Sequence, residues 1–137
     1  MIQEIKTRHN PGQPGALSFF EAGRDVDFAI KRVYYITGVP EGTVRGGHAH
    51  KALKQLLFCP FGKIEVTMDN GTEKSVFVLD DPSKGLVVDP LYWHTMRWLE
   101  DNSVLCVAAS GYYDESDYLR DYNEFLLYLQ QQSKNET

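Results

Sequence analysis

The sequence is poor in cysteine. Its 137 residues contain two, Cys59 and Cys106, and each lies in an apolar stretch. A free cysteine often behaves as a small buried hydrophobic residue, and disulfides are rare in reducing compartments. We therefore predict two buried thiols in a cytoplasmic protein, in preference to a disulfide between them.

Positive charge and long apolar runs are also scarce. The formal net charge of -5 argues against non-specific nucleic-acid binding, which needs a basic face, although a few local arginines could still bind an anionic ligand. No apolar run approaches the roughly 20 residues that span a bilayer. The first residues, MIQEIKTRHNPG, lack the apolar region of a secretory signal. We predict neither nucleic acid nor a membrane as a partner.

Length and composition fit one globular domain. Hydrophobic residues make up 42% of the chain and charged residues 24%, which is ordinary for a soluble protein with a core. We predict a single domain over residues 1–137. Within it we expect an N-terminal strand segment at 1–27 and a C-terminal helix at 114–132.

Most of the chain has the pattern of short strands. Residues 63–68 alternate between apolar and polar, 69–71 read Asp-Asn-Gly, and 73–79 alternate again, which predicts a hairpin. Further strands are predicted at 28–36, 85–90, 93–99 and 103–110. Many closely spaced short strands favour a β-sandwich or barrel. Helical spacing occurs from Tyr118 to Gln132, after acidic cap candidates at 114–117.

The stretch VRGGHAHKALKQ, residues 44–55, holds the most specific pattern. On a strand, His48 and His50 share a face and lie about 7 Å apart. Inside a barrel, both imidazoles would enter one cavity. A pair of surface histidines on an edge strand is the alternative.

A longer pattern resembles the cupin motifs. The first motif places a glycine, His-x-His, an acidic residue and a glycine at the spacing seen here, and the second places a glycine, a proline and a third histidine. The matching residues are Gly42, His48, His50, Gln55 and Gly62, then Gly85, Pro90 and His94. Metal-binding cupins usually have glutamate where Gln55 stands, and a neutral amide is a weaker ligand. The three histidines could still hold zinc or iron. Without a metal, two imidazoles in a cavity are proton-transfer groups.

Four segments together resemble one cupin subgroup, the dTDP-4-keto-6-deoxyglucose 3,4-ketoisomerases. They are IKRVYYI, RGGHAHK, DPLYWHTM and ASGYYDESDYLRDYNEF, and the resemblance runs from about Phe28 to Phe125. It implies a metal-independent, homodimeric all-β cupin, a small β-barrel or jelly roll with a C-terminal α-helix and no cofactor. Such enzymes move a keto group from carbon 4 to carbon 3 of a dTDP-linked sugar. A transaminase then makes a 3-amino-3,6-dideoxyhexose for surface glycans such as lipopolysaccharide O-antigen or S-layer glycan.

The resemblance assigns acid/base catalysis to the paired histidines, and the chemistry suggests further site residues. The predicted catalytic residues are His48, His50 and Tyr35. The predicted substrate-binding residues are Arg32, Arg45, Lys51, Gln55, Tyr92, Trp93, His94 and Arg97, with no metal ligand. Each cation could instead be a solvated surface charge, and each aromatic a core residue. Strict alternation places Arg45 on the face opposite His48, so its role requires either a bulge at Gly46–Gly47 or a ligand that crosses the strand.

Three questions stay open at this level. A sugar-nucleotide epimerase of the same fold also uses a histidine base, and a cupin could bind a nucleotide sugar without turnover. Members of the resembling family give either the gluco or the galacto configuration at carbon 4, depending on which face receives the proton. The segment PGALSFFEAG, residues 14–23, is predicted to form a strand that pairs with a sheet edge. In the resembling family such strands join the partner's sheet, and pairing within the same chain is the alternative.

Overall fold

The computed structural model describes residues 2–6, 8–11 and 14–135, and of residues 8–11 it describes the backbone alone. The ends of the predicted domain, at residues 1 and 136–137, lie outside the described part. The elements, in chain order, are β1 (Ile2–Lys6), β2 (Arg8–Pro11), β3 (Ala16–Phe19), β4 (Arg32–Ile36), β5 (Val44–His50), β6 (Gln55–Phe61), β7 (Ile64–Asp69), β8 (Lys74–Leu79), β9 (Lys84–Val88), β10 (Trp93–Trp98), β11 (Val104–Ala109), β12 (Tyr118–Leu119) and α1 (Tyr122–Asn135).

Two five-stranded antiparallel sheets form the body of the protein. The first sheet has the strand order β1-β9-β6-β11-β4, and the second has the order β12-β5-β10-β7-β8. Their inner faces share one apolar core that includes Leu57, Val66, Trp98 and Leu105. The predicted all-β cupin with a C-terminal helix is confirmed. A short hairpin of β2 and β3 forms a separate two-stranded sheet.

The strand predictions hold best where turn residues mark the ends. The predicted hairpin is present, because β7 pairs with β8 from Ile64↔Leu79 to Asp69↔Lys74. The predicted strand at 28–36 begins only at Arg32, since the residues before it cover the outer face of the first sheet. There Val26 and Phe28 pack against Leu56.

The C-terminal helix begins later than predicted. The acidic residues at 114–117 cap and form one turn of 3₁₀ helix, Glu115–Asp117, with the Asp114 side chain accepting from the Ser116 N–H. Tyr118 and Leu119 then form β12, which pairs with β5. Helix α1 begins at Tyr122, after Asp121 accepts from the Glu124 N–H. Helical spacing was therefore misleading at Tyr118 and Leu119, because these two residues form the edge strand of the second sheet.

The N-terminal residues are more divided than the predicted single strand segment. β1 pairs with β9 at one edge of the first sheet. β3 pairs with β2, from Arg8↔Phe19 to Pro11↔Ala16. Within this chain the predicted strand at 14–23 therefore pairs with its own neighbour and with neither large sheet.

Two sequence-based expectations concern the cysteines and the membrane. Cys59 is buried, Cys106 is partly buried, and both are free thiols. Across residues 2–6, 8–11 and 14–135, no helix has the length and apolarity that crossing a bilayer requires.

Candidate active site

One end of the barrel interior carries polar side chains in place of the apolar core. On the second sheet, His48 lies opposite His94 in the ladder between β5 and β10. On the first sheet, Ala109 of β11 pairs with both Arg32 and Gln55, which places those two side chains in one row. The two inner faces thus present histidines on one side and an arginine and an amide on the other.

A β-bulge at Gly46–Gly47 redirects the strand before the histidines. His94 pairs with His48 but Thr95 pairs with Gly46, so Gly47 is the extra residue. Both glycines have positive φ, 94° and 84°. A Cβ on Gly46 would lie 3.0 Å from the His94 carbonyl oxygen, so a side chain there has little room. The predicted bulge is confirmed, and it brings Arg45 into the cavity that His48 lines.

His48, His50 and His94 form a compact cluster of imidazoles. The ring centroid of His48 lies 5.2 Å from that of His50 and 4.5 Å from that of His94. One ring nitrogen from each residue lies within 4.8 Å of the others. His50 and His94 are each only 3% exposed.

Hydrogen bonds fix the tautomers of two of these rings. The Nδ1 atom of His50 lies 3.1 Å from the carboxylate of Asp117, and the Nδ1 atom of His94 lies 3.1 Å from the Tyr92 carbonyl oxygen. Both oxygens can only accept, so each Nδ1 carries the proton. The Nε2 atom of His50 is buried and has no partner within the described residues. In a neutral ring that atom presents a lone pair to the cavity.

Burial keeps the histidines neutral. Desolvation, with smaller contributions from His94 and His50, lowers the pKa of His48 to about 3. Desolvation is also the main reason why the pKa of His94 falls to about 4. The pKa of His50 is lowered by burial as well, although Asp117 opposes the shift. Near neutral pH all three imidazoles are therefore free bases, the form that can accept a proton.

Two cavities open beside the cluster. The first cavity, of about 480 Å³, is lined by His50, Arg32 and Asp117 among others. The second cavity, of about 290 Å³, is lined by His48, Arg32 and Arg45 among others. Arg32 borders both, and its Nε atom is buried without a hydrogen-bond partner in the part of the chain that is described.

Tyr34, and not the predicted Tyr35, faces the interior. Burial alternates along β4, so Arg32 and Tyr34 point inward while Tyr35 lies on the outer face and is 69% exposed. The Gln55 amide donates to the Tyr34 hydroxyl at 3.1 Å. Burial is the main cause that raises the pKa of Tyr34 to about 12, so its hydroxyl keeps a proton to donate.

Gln55 and His94 lie in the interior beside the two cavities without lining them, and the side chains of four other predicted binding residues contact other parts of the structure. Lys51 reaches helix α1, with its Nζ 5.5 Å from the centre of the Tyr128 ring. The Trp93 ring packs on the same helix, against Tyr122 and Phe125. The side chain of Tyr92 packs on the main core, and its backbone carbonyl serves His94. Arg97 is exposed on the outer face of β10. Alternation along β10 explains the last case, since His94 points inward and Arg97 is an odd number of positions away.

Three residues near the histidines were not selected from the sequence. Asp117 holds His50, as described above, and accepts from the Ala52 N–H at 2.8 Å. The Tyr118 ring lies 4.4 Å from the ring of His50 and 5.1 Å from that of His48. Arg120 lines the second cavity. The only sequence signal for Asp117 was its acidic neighbourhood, which a helix cap explained equally well.

The histidine cluster has the spacing and the neutral nitrogens that a metal ion requires. Within the described residues the cluster offers imidazoles without a carboxylate, and Gln55, at the position of the cupin carboxylate, bonds to Tyr34. The ligand set is therefore weaker than the three-histidine, one-carboxylate set of metal-binding cupins.

Two antiparallel sheets around an interior with inward-facing histidines define a cupin. The family profile FdtA, described as WxcM-like, C-terminal, matches residues 1–130, so the chain belongs to that family. A curated relative is the TDP-4-oxo-6-deoxy-alpha-D-glucose-3,4-oxoisomerase of Aneurinibacillus thermoaerophilus. It is 43% identical over 115 residues, which cover 84% of this chain and 83% of the relative. The resemblance drawn from the sequence is confirmed.

Solved structures of two ketoisomerases are similar over nearly the whole chain. QdtA, a sugar 3,4-ketoisomerase from Thermoanaerobacterium thermosaccharolyticum in complex with TDP, is 38% identical, with a TM-score of 0.91 and 96% of each chain covered. A histidine-to-asparagine variant of QdtA was solved with TDP-4-keto-6-deoxyglucose. A 3,4-ketoisomerase from Helicobacter canadensis is 32% identical, with a TM-score of 0.91, and the match covers 94% of this chain and 97% of that one.

Proposed function

We propose that this protein is a sugar-nucleotide 3,4-ketoisomerase that converts dTDP-4-keto-6-deoxyglucose into its 3-keto isomer. The observation that carries the proposal is a pair of buried polar atoms, His50 Nε2 and Arg32 Nε, which lie beside one cavity and have no hydrogen-bond partner among the described residues. One is a proton acceptor and the other a cationic donor. Leaving both without partners in a folded protein is costly unless a ligand supplies them.

The reaction needs proton transfers and no change in overall oxidation level. A base removes the proton on carbon 3, which is acidic because the carbon-4 ketone lies beside it. The resulting enediolate, which carries its negative charge on the carbon-4 oxygen, takes a proton at carbon 4, while a proton passes from the oxygen on carbon 3 to the oxygen on carbon 4. The neutral imidazoles of His48 and His50, 5.2 Å apart, can serve two adjacent carbons.

The oxyanion of the intermediate needs donors on the opposite wall of the barrel. Tyr34 keeps its hydroxyl proton, and the Arg32 guanidinium lies 5.1 Å from the centre of the Tyr34 ring. The side chains of Arg32 and Tyr34 both lie on the inner face of β4, across the interior from the histidines. Donors fixed in advance stabilise developing charge more effectively than solvent does.

The diphosphate of the substrate requires arginines, which bind phosphate in a bidentate manner. Arg32 and Arg45 both line the second cavity beside His48. Lys51 and Arg97 do not line either cavity, so we assign no phosphate contact to them. A substrate whose reacting carbons lie between the imidazoles would place its diphosphate on the two arginines.

Two further proposals concern the enzyme that uses the product and the location of the protein in the cell. A 3-keto sugar is the substrate that an aminotransferase requires to make a 3-amino-3,6-dideoxyhexose, and we propose that such an enzyme consumes the product for a surface glycan. The two free thiols support a cytoplasmic location, which cell fractionation would check. A strain that lacks this protein should lose the 3-amino sugar; an unchanged glycan would contradict the assignment.

Incubation of the purified protein with dTDP-4-keto-6-deoxyglucose tests the function. We expect a product whose ketone lies at carbon 3. A product that keeps its ketone at carbon 4 and is inverted at carbon 3 or carbon 5 would identify an epimerase. Tight dTDP binding with no turnover of this substrate would identify a binding protein.

The Arg45→Ala variant should bind dTDP about tenfold or more weakly than the wild type, because a charge-assisted contact to phosphate is lost. Isothermal titration at low and moderate salt measures the effect, and wild-type binding should weaken as salt rises. Arg97→Ala, which removes an exposed arginine on the outer face, is the matched control. Equal dissociation constants for Arg45→Ala and wild type would show that Arg45 does not touch the diphosphate.

Turnover should survive the removal of metal ions. Across the described residues, the group of possible metal ligands formed by the three histidines includes no carboxylate, and Gln55 is hydrogen-bonded to Tyr34. Dialysis against EDTA, with metal content measured before and after, should leave kcat unchanged. A loss of activity that one particular divalent ion restores would establish a metal-dependent reaction.

We propose that the protein is a homodimer that uses the outer face of β4. Val33 and Tyr35 point outward there, 58% and 69% exposed, on a strand at the edge of the first sheet. Exposed apolar side chains on an edge strand are typical of a surface that pairs with another chain. The hairpin of β2 and β3, with Leu17 exposed at 61%, is a second surface that a partner could cover.

Light scattering of single variants tests the dimer and its location. Val33→Glu should give monomers at micromolar concentration, whereas Val76→Glu should not. Val76 is a matched control because it is 59% exposed on β8, an edge strand of the second sheet. If Leu17→Glu alone gave monomers, the hairpin would be the interface. A wild-type monomer with full activity would refute the dimer.

A further inference from the structure

Three side chains beside the second cavity form a hydrogen-bonded group, and two of them, Tyr113 and Arg120, line that cavity. Glu115 accepts two hydrogen bonds from Arg120, from Nε at 2.6 Å and from Nη2 at 3.0 Å, and a third from the Tyr113 hydroxyl. Glu115 and Arg120 are 57% and 52% exposed. The group stands in solvent, where ion pairs contribute little to stability, so its position calls for a reason other than folding.

Arg120 is tied to the active site on its other side. Its guanidinium carbon lies 4.1 Å from the centre of the Tyr118 ring, and that ring contacts both His48 and His50. This cation–π contact with Tyr118 keeps the guanidinium beside the wall of the cavity. The Tyr118 ring therefore lies between Arg120 and the two histidines and contacts all three.

The second cavity has an excess of positive charge. Arg32, Arg45 and Arg120 all line it together with His48, and in the part of the chain that is described its lining includes no acidic side chain. Glu115 neutralises Arg120 from outside that lining. The diphosphate of a nucleotide sugar carries two negative charges, and its non-bridging oxygens can each accept more than one hydrogen bond. A third arginine can therefore bind the same group as the other two.

We propose that Arg120 is a third diphosphate-binding residue, and that Glu115 occupies its guanidinium until the substrate displaces the carboxylate. This inference rests on the proposed function of the same site. Glu115 acts as an internal competitor that presents the same chemistry as the phosphate, an anion with two oxygens for the two N–H donors of Arg120. The exchange forms as many charge-assisted hydrogen bonds as it breaks at Arg120.

Substitutions of Arg120 and of Glu115 should change the affinity for dTDP in opposite directions. Arg120→Ala should weaken dTDP binding about tenfold, since one charge-assisted contact is lost. Glu115→Gln should strengthen it by about twofold to fivefold, since an exposed ion pair no longer competes. In the double variant, Glu115→Gln should have no effect, because there is no guanidinium left to release.

Thymidine and one remote variant serve as controls. Thymidine lacks phosphate, so its affinity should be the same for wild type, Arg120→Ala and Glu115→Gln. Glu100→Gln removes the same charge from the distant pair with Lys63 and should not change dTDP binding. Titration calorimetry measures every arm, and circular dichroism checks that each variant is folded. Arg120→Lys, which keeps the charge but not the paired donors, should fall between wild type and alanine.

The outcomes separate this inference from the function. If wild type turns over the sugar nucleotide and binds dTDP but Arg120→Ala binds it equally well, the inference is wrong and the function stands. Unchanged or weaker binding by Glu115→Gln overturns the competition. If wild type neither binds dTDP nor isomerises the substrate, the proposed function is wrong, and the inference with it.

Discussion

Replacing His50 with asparagine should lower kcat by about 10²–10⁴, the range that a positioned acid or base contributes. The Nε2 atom of His50 is buried, carries no proton in the tautomer that Asp117 selects, and has no partner in the described structure. Asparagine keeps a polar side chain of moderate size but offers no basic nitrogen. The same replacement at His48, whose ring lies 5.2 Å away, should cause a loss of the same order.

Fixed-time assays of product formation at saturating substrate measure kcat. Two controls exclude a general loss of structure. Both variants should bind dTDP with the wild-type dissociation constant, because the diphosphate contacts belong to the arginines. Both should melt cooperatively. Turnover close to that of the wild type in both variants would mean that the imidazoles do not carry the protons.

The Asp117→Asn variant should lose about 10–10² in kcat with little change in KM. A carboxylate can only accept, and so requires a proton on His50 Nδ1, whereas an amide can donate to that atom and permit the other tautomer. Partners that orient a functional histidine commonly have effects of this size. The backbone contact to the Ala52 N–H can be kept by the amide oxygen, so the fold should persist.

Asp114→Asn is the matched control, since Asp114 caps the same 3₁₀ helix without contacting a histidine. Nitrogen-15 NMR of labelled histidine reads the tautomer directly. Wild type should show His50 protonated at Nδ1, and the variant should show a mixture or the reverse. An unchanged kcat, or a wild-type His50 protonated at Nε2, would contradict the role assigned to Asp117.

Local signals in the sequence predicted the elements whose ends carry turn residues and the side chains fixed by one strand's alternation. The Asp-Asn-Gly turn located the hairpin of β7 and β8. His48 and His50 share a face because they are two positions apart on β5, and the glycine pair before them supplied the bulge that Arg45 required. Each inference depended on residues close together in sequence.

Two kinds of information were absent from such local patterns. The first is which face of a strand points to the interior when both faces carry aromatic or apolar side chains. In RVYYI, Tyr34 and Tyr35 compete for the inner face, and the only sequence signal is that Tyr34 shares its parity with Arg32. Arg97 is a different case, because alternation from His94 along β10 already places it on the outer face, whereas closeness in the chain had suggested the pocket.

The second kind is pairing between distant segments. Asp117 lies beside His50 because its neighbour Tyr118 pairs with His50 in the second sheet. The hydrogen bond between Asp117 and His50 joins residues that are 67 positions apart in the chain. Helical spacing from Tyr118 onward concealed that strand. The pairing of β12 with β5 therefore brings three residues to the site that no local pattern indicated, Asp117, Tyr118 and Arg120.

Conversion of dTDP-4-keto-6-deoxyglucose in deuterium oxide, followed by NMR of the product, tests the central claim most directly. The account predicts a ketone carbon at position 3 and one deuterium on carbon 4, because the proton that reaches carbon 4 is delivered by a side chain that exchanges with solvent. The configuration at carbon 4 is obtained from the same spectrum. A product that retains the carbon-4 ketone and carries deuterium at carbon 3 or carbon 5, or a substrate that stays unlabelled and unchanged, would contradict the account.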